Sequence, residues 1–260
     1  MLLCRFGPEG FHAAGENLDE LRVLFSDPFE TRLSAWEFGR AVTLASGEAL
    51  RAPVEPGKIV CVGRNYRDHA AELGNPLPAS PLLFLKAPSS VIGPGAPIVL
   101  PPESERVDFE GEIALVLRSR LRRASAEEAA NAVLGVTCAC DVSARDLQKR
   151  DGSFSGAKSF DSFCPLGPAI RLMRDPVELT ELSVVTRISG TERQRGTARE
   201  MVFPIPELLA YASTRMTLEP GDVFLTGTPA GVGPLAAGDL VEVEIPGVGR
   251  LTNPVEAFRA

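Results

Sequence analysis

The sequence is poor in histidine, with only His12 and His69 among its 260 residues. Neither has a second histidine four positions away, which excludes the HExxH metalloprotease motif and any multi-histidine metal site. The cysteines are an odd number and show no CxxC spacing, so they indicate neither a disulfide framework nor a zinc knuckle. We expect reduced thiols that fill the core at Cys4, Cys61, Cys138, Cys140 and Cys164.

The chain also lacks a run of basic residues and any apolar run of membrane-spanning length. Its 27 Lys and Arg against 34 Asp and Glu give a net charge of -7, which excludes nucleic acid as an expected partner. The segment Met1–Pro8 has neither the length nor the cleavage site of a signal peptide. We therefore expect a soluble cytoplasmic protein in which a bound cation or local arginines receive any anionic substrate.

Two common catalytic motifs are missing as well. The segment Gly152–Gly156 does not have the GxSxG spacing of a nucleophile elbow, which disfavours a serine-hydrolase triad. The segment Gly231–Ala236 matches the loose pattern GxGxxA, but Pro234 and the strand that follows leave no crossover helix. A dinucleotide site is therefore rejected here. This loop could be a plain turn or could hold a carboxylate with its backbone N–H groups.

The chain is long enough to bury one sizeable core. The Pro- and Gly-rich segment Pro53–Gly57 indicates a boundary between a small N-terminal domain, residues 1–55, and a main domain, residues 56–260. The first part reads as short strands and turns with one helix. Further on, Ser125 and Glu128 predict a capping box for a helix closed by Gly135, and residues 149–157 read as a polar loop.

Three carboxylates lie two residues apart at Asp108, Glu110 and Glu112, just before the apolar run Ile113–Leu117. On a strand this spacing puts them on one face. Such a row could be the solvated face of an edge strand. However, the run that follows is apolar on both faces, so the acids enter the core, where carboxylates must be paired or bound to a metal. A hard cation with oxygen ligands is the simplest solution, and Asp141, at the end of another strand, is a candidate third ligand.

His69 and Glu72 lie three residues apart in a predicted short helix that Gly74 and Pro76 terminate. This spacing lets a carboxylate orient an imidazole base, although it also occurs in ordinary exposed pairs. The flanking glycines suit a lid that is mobile from Tyr66 to Asn75. Two lysines are less informative from sequence: Lys86 reads as a strand-end cation or an ion-pair partner, and Lys158 as a loop lysine.

Five segments in order resemble the fumarylacetoacetate hydrolase family, in its bacterial branch of acylpyruvases and 2-hydroxyhepta-2,4-diene-1,7-dioate isomerases. The resemblance runs from about Pro56 to Pro254 and is carried by Arg64–Glu72, Asp108–Glu112, Asp141–Gln148, Ala157–Asp161 and Leu225–Gly233. It implies an α+β, mainly β fold: a β-roll of mixed, mostly antiparallel strands with flanking helices, plus the small N-terminal domain. It also implies a homodimer.

The same resemblance implies the roles of individual residues. Glu110, Glu112 and Asp141 would hold one Mg²⁺ or Mn²⁺, with Asp108 behind them. The catalytic groups would be His69 and Glu72 on the lid together with Lys158 and Gln148, and the substrate contacts would be Arg64, Tyr66, Arg145 and Thr228. The chain departs from the family pattern at Phe154–Gly156, which is smaller and less charged than the aromatic and basic residues often found there.

A metal-bound 2-oxo carboxylate suits several reactions, because a Lewis acid stabilises its enolate. We expect C–C bond hydrolysis of an acylpyruvate- or fumarylpyruvate-type substrate, with His69 as general base for the attacking water. Two alternatives use the same site: isomerisation of 2-hydroxyhepta-2,4-diene-1,7-dioate, which needs only a proton shuttle, and decarboxylation of oxaloacetate, which needs no water. An alternative of another class is a non-catalytic protein whose metal is structural.

Overall fold

The structure, a computed structural model, describes residues 1–42, 50–72 and 76–259. Its α-helices are short: α1 (Arg67–Glu72), α2 (Ala126–Asn131), α3 (Arg145–Asp151), α4 (Phe154–Lys158) and α5 (Ile205–Arg215). The strands are β1 (Leu2–Phe6), β2 (Phe11–Gly15), β3 (Leu21–Leu24), β4 (Phe38–Val42), β5 (Leu50–Arg51), β6 (Ile59–Gly63), β7 (Leu82–Lys86), β8 (Val91–Ile92), β9 (Ile98–Leu100), β10 (Val107–Phe109), β11 (Gly111–Leu117), β12 (Val133–Cys140), β13 (Ser143–Ala144), β14 (Cys164–Leu172), β15 (Ser183–Ile188), β16 (Thr191–Thr197), β17 (Val223–Leu225), β18 (Gly233–Pro234), β19 (Leu240–Ile245) and β20 (Gly249–Ala257).

The large sheet has the strand order β4-β3-β2-β1-β14-β12-β11-β17-β6-β7. Most neighbours are antiparallel, whereas β17 pairs with β6 in parallel. A second sheet has the order β16-β15-β19-β20-β9, and a small third one joins β13, β10 and β18. The predicted α+β, mainly β class with mixed, mostly antiparallel strands is therefore confirmed.

Strand β11 shows why the run after the acidic row is apolar on both faces. Ile113, Leu115 and Leu117 belong to one core cluster, and Ala114 and Val116 to the cluster on the opposite side of the sheet. All seven residues of β11 are buried, as expected for a strand with packed layers above and below it. This strand fixes one end of the acidic segment inside the protein.

The first strands extend the large sheet, because Leu2 and Leu3 of β1 pair with Arg171 and Ile170 of β14. A separate N-terminal domain is therefore not confirmed, and the boundary near residue 55 stays a prediction. In the described part of residues 1–55 the helical structure is one 3₁₀ turn, Leu33–Ala35, in place of the expected helix.

Two local predictions are corrected. The capping box of Ser125 and Glu128 is present, but α2 ends at Asn131, and Gly135 lies inside β12. A glycine is needed there because a Cβ would overlap the carbonyl oxygen of Arg171 on the neighbouring strand. The polar segment 149–157 is not a loop throughout: α3 continues to Asp151, and α4 begins at Phe154.

Candidate active site

Three buried carboxylates meet where β10 gives way to β11 and where β12 ends. Strand pairing sets Gly111 opposite Cys140, so Glu110 and Asp141 are neighbours, and the Asp141 N–H donates to the carbonyl oxygen of Glu110 at 2.7 Å. Glu112 follows on β11. One carboxylate oxygen from each of Glu110, Glu112 and Asp141 lies within 4.8 Å of the others, and all three residues are at most 5% exposed.

The three acids fit a divalent cation. Burial, with the negative charges of Asp141 and Glu110, raises the pKa of Glu112 well above its ordinary value. Within the part of the chain that the structure describes, the Glu112 carboxylate accepts from the Gly227 N–H at 2.7 Å, which is not a full counter-charge. A hard divalent cation would supply that charge, and an all-oxygen donor set matches Mg²⁺, Mn²⁺ or Ca²⁺ better than softer metals. The triad can therefore hold such an ion.

Two buried lysines neutralise the other two carboxylates. Lys158, at the end of α4, donates to Glu110 and to Asp141, each at 2.6 Å. Lys86, at the end of β7, donates to the second Asp141 oxygen at 2.6 Å, and its side chain is 0% exposed. Burial opposes the charge of Lys158, but Asp141 and Glu110 outweigh burial and raise its pKa. Of the two possibilities that the sequence leaves for Lys86, the structure has the ion pair.

Arg145 is the first residue of α3, and its guanidinium group donates hydrogen bonds to three protein side chains. Its Nε donates to Asp108 at 2.9 Å, its Nη2 donates to Glu110, and its Nη1 donates to the Gln148 carbonyl oxygen at 3.0 Å. Burial opposes ionisation of Glu110, but the charges of Arg145 and Lys158 dominate and lower its pKa. Asp108 also accepts from Arg106 at 3.0 Å and is not part of the triad. Arg145 thus orients Glu110 and Gln148.

His69 lies on α1 and is 4% exposed. Its Nδ1 is 3.4 Å from a Glu72 carboxylate oxygen, so the i,i+3 pair predicted from spacing is formed. Burial lowers the pKa of His69 in spite of the opposing charges of Glu110 and Glu72, and this shift favours the neutral imidazole. Glu72 also accepts from the Gly231 N–H at 3.1 Å, and this contact connects α1 to the loop after β17. The last predicted lid residues, 73–75, lie outside the described residues.

Thr228 belongs to that loop. Gln194, which was not predicted from the sequence as a site residue, holds the loop in place by hydrogen bonds. Gln194 of β16 is 1% exposed; its amide nitrogen donates to the Thr228 hydroxyl and to the Pro229 carbonyl oxygen, each at 2.7 Å. Its amide oxygen accepts from Gly111 N–H at 2.9 Å, and Thr228 donates to the Gly111 carbonyl oxygen at 2.9 Å. Gln194 therefore joins the Thr228 loop to the backbone between Glu110 and Glu112. A lone glutamine in a β-hairpin carries no sequence signal for this.

Arg64 and Tyr66, the remaining predicted substrate contacts, line different cavities. Arg64 follows β6 with a φ of 58°, in the left-handed region that non-glycine residues avoid at a cost of about 1–2 kcal/mol. It lines the same cavity as the triad. Tyr66 is 2% exposed, and its hydroxyl has no hydrogen-bond partner among the described residues. It lines a different cavity, of about 280 Å³, so its role as a substrate contact stays a prediction.

The cavity that the triad lines, called the triad cavity below, has a volume of about 490 Å³. Nine of the eleven residues predicted for the site line this cavity, whereas Glu72 and Tyr66 do not. The nine are Arg64, His69, Glu110, Glu112, Asp141, Arg145, Gln148, Lys158 and Thr228. Phe84 and Phe154 add an aromatic wall, with their rings edge to face and 5.2 Å between centroids. The cavity thus combines a buried acidic triad, an imidazole and amide and ammonium donors, a set that can support metal-assisted proton transfer.

Comparison with known proteins shows the family to which the chain belongs. Residues 58–256 match the family described as fumarylacetoacetate (FAA) hydrolase, C-terminal, and the chain belongs to this family. Among its relatives, oxaloacetate tautomerase YisK of Bacillus subtilis is 41% identical over 231 residues, which cover 84% of this chain and 77% of that protein. The mitochondrial oxaloacetate tautomerase fahd2 of Xenopus laevis is 42% identical over 239 residues, covering 87% and 74%.

A solved structure gives the same result for the fold. The 2-hydroxyhepta-2,4-diene-1,7-dioate isomerase from Mycobacterium marinum has a TM-score of 0.87 and 38% identity, and the match covers 100% of both chains. The predicted family and its β-roll fold are thus confirmed, and the protein is an enzyme. The non-catalytic alternative is set aside. As for membranes, none of the helices in the described ranges is both long and apolar enough to span a bilayer.

Proposed function

We propose that this enzyme catalyses keto–enol isomerisation of a 2-oxo carboxylate, with oxaloacetate as the candidate substrate and Mg²⁺ or Mn²⁺ as the cofactor. The observation that carries the proposal is that His69 is buried in the same cavity as the triad of Glu110, Glu112 and Asp141, where burial lowers its pKa. Two relatives above 40% identity that are named oxaloacetate tautomerases support isomerisation over our first expectation of hydrolysis.

The reaction needs one proton to leave carbon and one to reach oxygen. The C–H bond beside the carbonyl breaks, its electron pair forms the C=C bond, and the carbonyl oxygen gains a proton. When bound at the triad, a divalent cation supplies Lewis-acid polarisation of the 2-oxo group. No water or other reactant is consumed, so one base that releases the proton again is sufficient.

His69 is that base. Its Nδ1 faces Glu72, so the carboxylate favours the tautomer with a proton on Nδ1 and leaves the Nε2 lone pair to accept the substrate proton. The pKa lowered by burial keeps this lone pair free at neutral pH. Glu72 also accepts from the Gly231 N–H, and this hydrogen bond links the dyad to the loop that carries Thr228.

Lys158 and Gln148 stabilise the negative charge that develops on the substrate oxygen. The Gln148 carbonyl oxygen is occupied by Arg145, so its NH₂ group is the part available for donation into the cavity. Lys158 presents an ammonium group that its carboxylate partners keep charged. Hydrogen-bond donors that are already oriented stabilise the developing negative charge more strongly than water does, because they do not have to reorganise during the reaction.

Hydrolysis of an acylpyruvate is the second candidate. The cavity has room for a substrate longer than four carbon atoms, and the pair of His69 and Glu72 could deprotonate a water instead of a carbon acid. A fumarylacetoacetate hydrolase from Exiguobacterium antarcticum has a TM-score of 0.83 and 35% identity to this chain. Metal-assisted decarboxylation of oxaloacetate would use the same triad.

The test is a substrate panel of oxaloacetate, acylpyruvates and hydroxydienedioates with Mg²⁺ and with Mn²⁺. We expect the enol absorbance of oxaloacetate to relax faster than the spontaneous rate, with pyruvate release unchanged, and the acceleration to disappear with EDTA. The matched control is Glu112→Gln, which has the same shape and lacks the ligand charge. Faster C–C cleavage of an acylpyruvate without enhanced tautomerisation would replace our proposal by the hydrolytic one.

A further inference from the structure

Two cationic side chains of the triad cavity, Arg64 and Lys149, have no role in the proposed proton transfer. The other two cationic side chains of the lining, Arg145 and Lys158, form ion pairs with carboxylates of the triad. Within residues 1–42, 50–72 and 76–259, neither Arg64 nor Lys149 forms an ion pair or a side-chain hydrogen bond. Their charges are therefore available to a ligand.

The charge balance of the cavity differs from that of the whole chain. The protein carries a net charge of -7, yet the cavity lining has four cationic side chains and three carboxylates. Two lysines and an arginine already pair with Asp141 and Glu110, and a divalent cation held at the triad would neutralise Glu112. The remaining positive charge favours a ligand with a second anionic group, because a cavity of one sign attracts the opposite charge.

The backbone at Arg64 is held in place by a buried side chain. Asn65 is 0% exposed; its amide oxygen accepts from Phe203 N–H at 2.9 Å, and its amide nitrogen donates to the Thr226 carbonyl oxygen at 2.9 Å. These contacts hold Arg64 in the left-handed region, at a φ of 58°. Such strain persists where the surrounding structure enforces it, and it is concentrated at functional positions.

The cavity also offers a surface for a carbon chain. Phe84 and Phe154 line it, and the ring of Phe154 closes the space above Gly63, next to Arg64. The lining thus provides carboxylates for a metal, aromatic faces for methylene groups and two cations that have no ion-pair partner among the described residues. This set matches a molecule with a chelating 2-oxo acid at one end and a carboxylate at the other.

We propose that Arg64 and Lys149 bind the distal carboxylate of a 2-oxo dicarboxylate and so determine specificity against monocarboxylates. The inference rests on the proposed function only for the place of the first carboxylate at the triad. An arginine suits this role because its planar fork of N–H donors matches a carboxylate, and Lys149 adds a second charge at the exposed side.

Binding calorimetry with the Mg²⁺-loaded enzyme tests this without relying on turnover. The probes are 2-oxoglutarate and 2-oxopentanoate, which have the same number of carbon atoms and differ in the distal carboxylate. We expect the wild type to prefer 2-oxoglutarate by at least about tenfold, as for a charge-assisted contact. Arg64→Gln and Lys149→Gln should each reduce the preference, and the double variant should bring it to within about twofold, with 2-oxopentanoate affinity unchanged.

The controls are Arg67→Gln and Arg150→Gln, which remove the same charge from exposed neighbours outside the cavity lining. Both should keep the wild-type preference, and Arg64→Lys should keep most of it. Equal weakening of both probes in the double variant, or a wild type that binds the two equally or binds neither, would overturn the proposal. A preserved preference in an enzyme that fails to tautomerise oxaloacetate would count against the proposed function alone.

Discussion

Lys86 provides a quantitative test of the charge balance in the site, because the sequence left its role open. Its side chain is 0% exposed, and its ammonium group lies 2.6 Å from one oxygen of Asp141. The change Lys86→Met keeps the length and apolar volume of the side chain and removes the charge. It therefore leaves a buried carboxylate oxygen without its counter-charge.

Removing one partner of a buried ion pair costs about 3–5 kcal/mol, mostly through the charge that remains. Asp141 keeps Lys158 on its other oxygen at 2.6 Å, so we expect the lower end of this range, about 3 kcal/mol. Adding Asp141→Asn should recover part of the loss, with a coupling energy of about 1–3 kcal/mol, because the stranded charge is then absent.

The assay is urea unfolding in EDTA, so that no metal contributes, with the slope of the transition compared between variants. The matched control is Arg150→Met, which removes an exposed arginine with a partner, Asp151, at the similar distance of 2.7 Å. Solvent screens that pair, so the midpoint should stay at the wild-type value. If Lys86→Met behaved like the control, the ion pair with Asp141 would have no energetic role, and our reading of the site's charges would be refuted.

Two further predictions concern the base and its surroundings. His69→Ala should lower kcat for oxaloacetate tautomerisation by about 10²–10⁴ with unchanged Mn²⁺ affinity, and Glu110→Ala should abolish all metal-dependent reactions. Because burial lowers the pKa of His69, the rate of the wild-type enzyme should fall only when the pH drops below the ordinary histidine pKa of about 6.5. If His69→Ala lowered the rate of oxaloacetate decarboxylation as much as the rate of tautomerisation, His69 would instead act in binding or lid closure. Gln194→Leu leaves the Gly111 N–H and the Pro229 carbonyl oxygen unpaired, at about 1–3 kcal/mol each, and should weaken Mn²⁺ binding in a calorimetric titration; unchanged binding would show that Gln194 does not support the triad.

The sequence was most informative where residue spacing and strand geometry act together. Glu110 and Glu112 could be assigned to a buried cluster because the apolar run after them must be covered on both sides. The spacing of His69 and Glu72 predicted their contact, since residues three apart on a helix are neighbours. In contrast, the end of α2 was misplaced, because Gly135 serves the close approach of β14 and does not end the helix.

Local pattern by itself determined the family motifs, the acidic pair and the dyad on α1, because these depend on periods of two and three residues along one segment. Only the tertiary structure decided which charges meet. Lys86 and Lys158 come from distant segments to the two oxygens of Asp141, and Gln194 reaches the Thr228 loop from the second sheet. Such contacts depend on strand order and register across the whole chain, and a buried charge can be assigned a partner only when the residues packed around it are known.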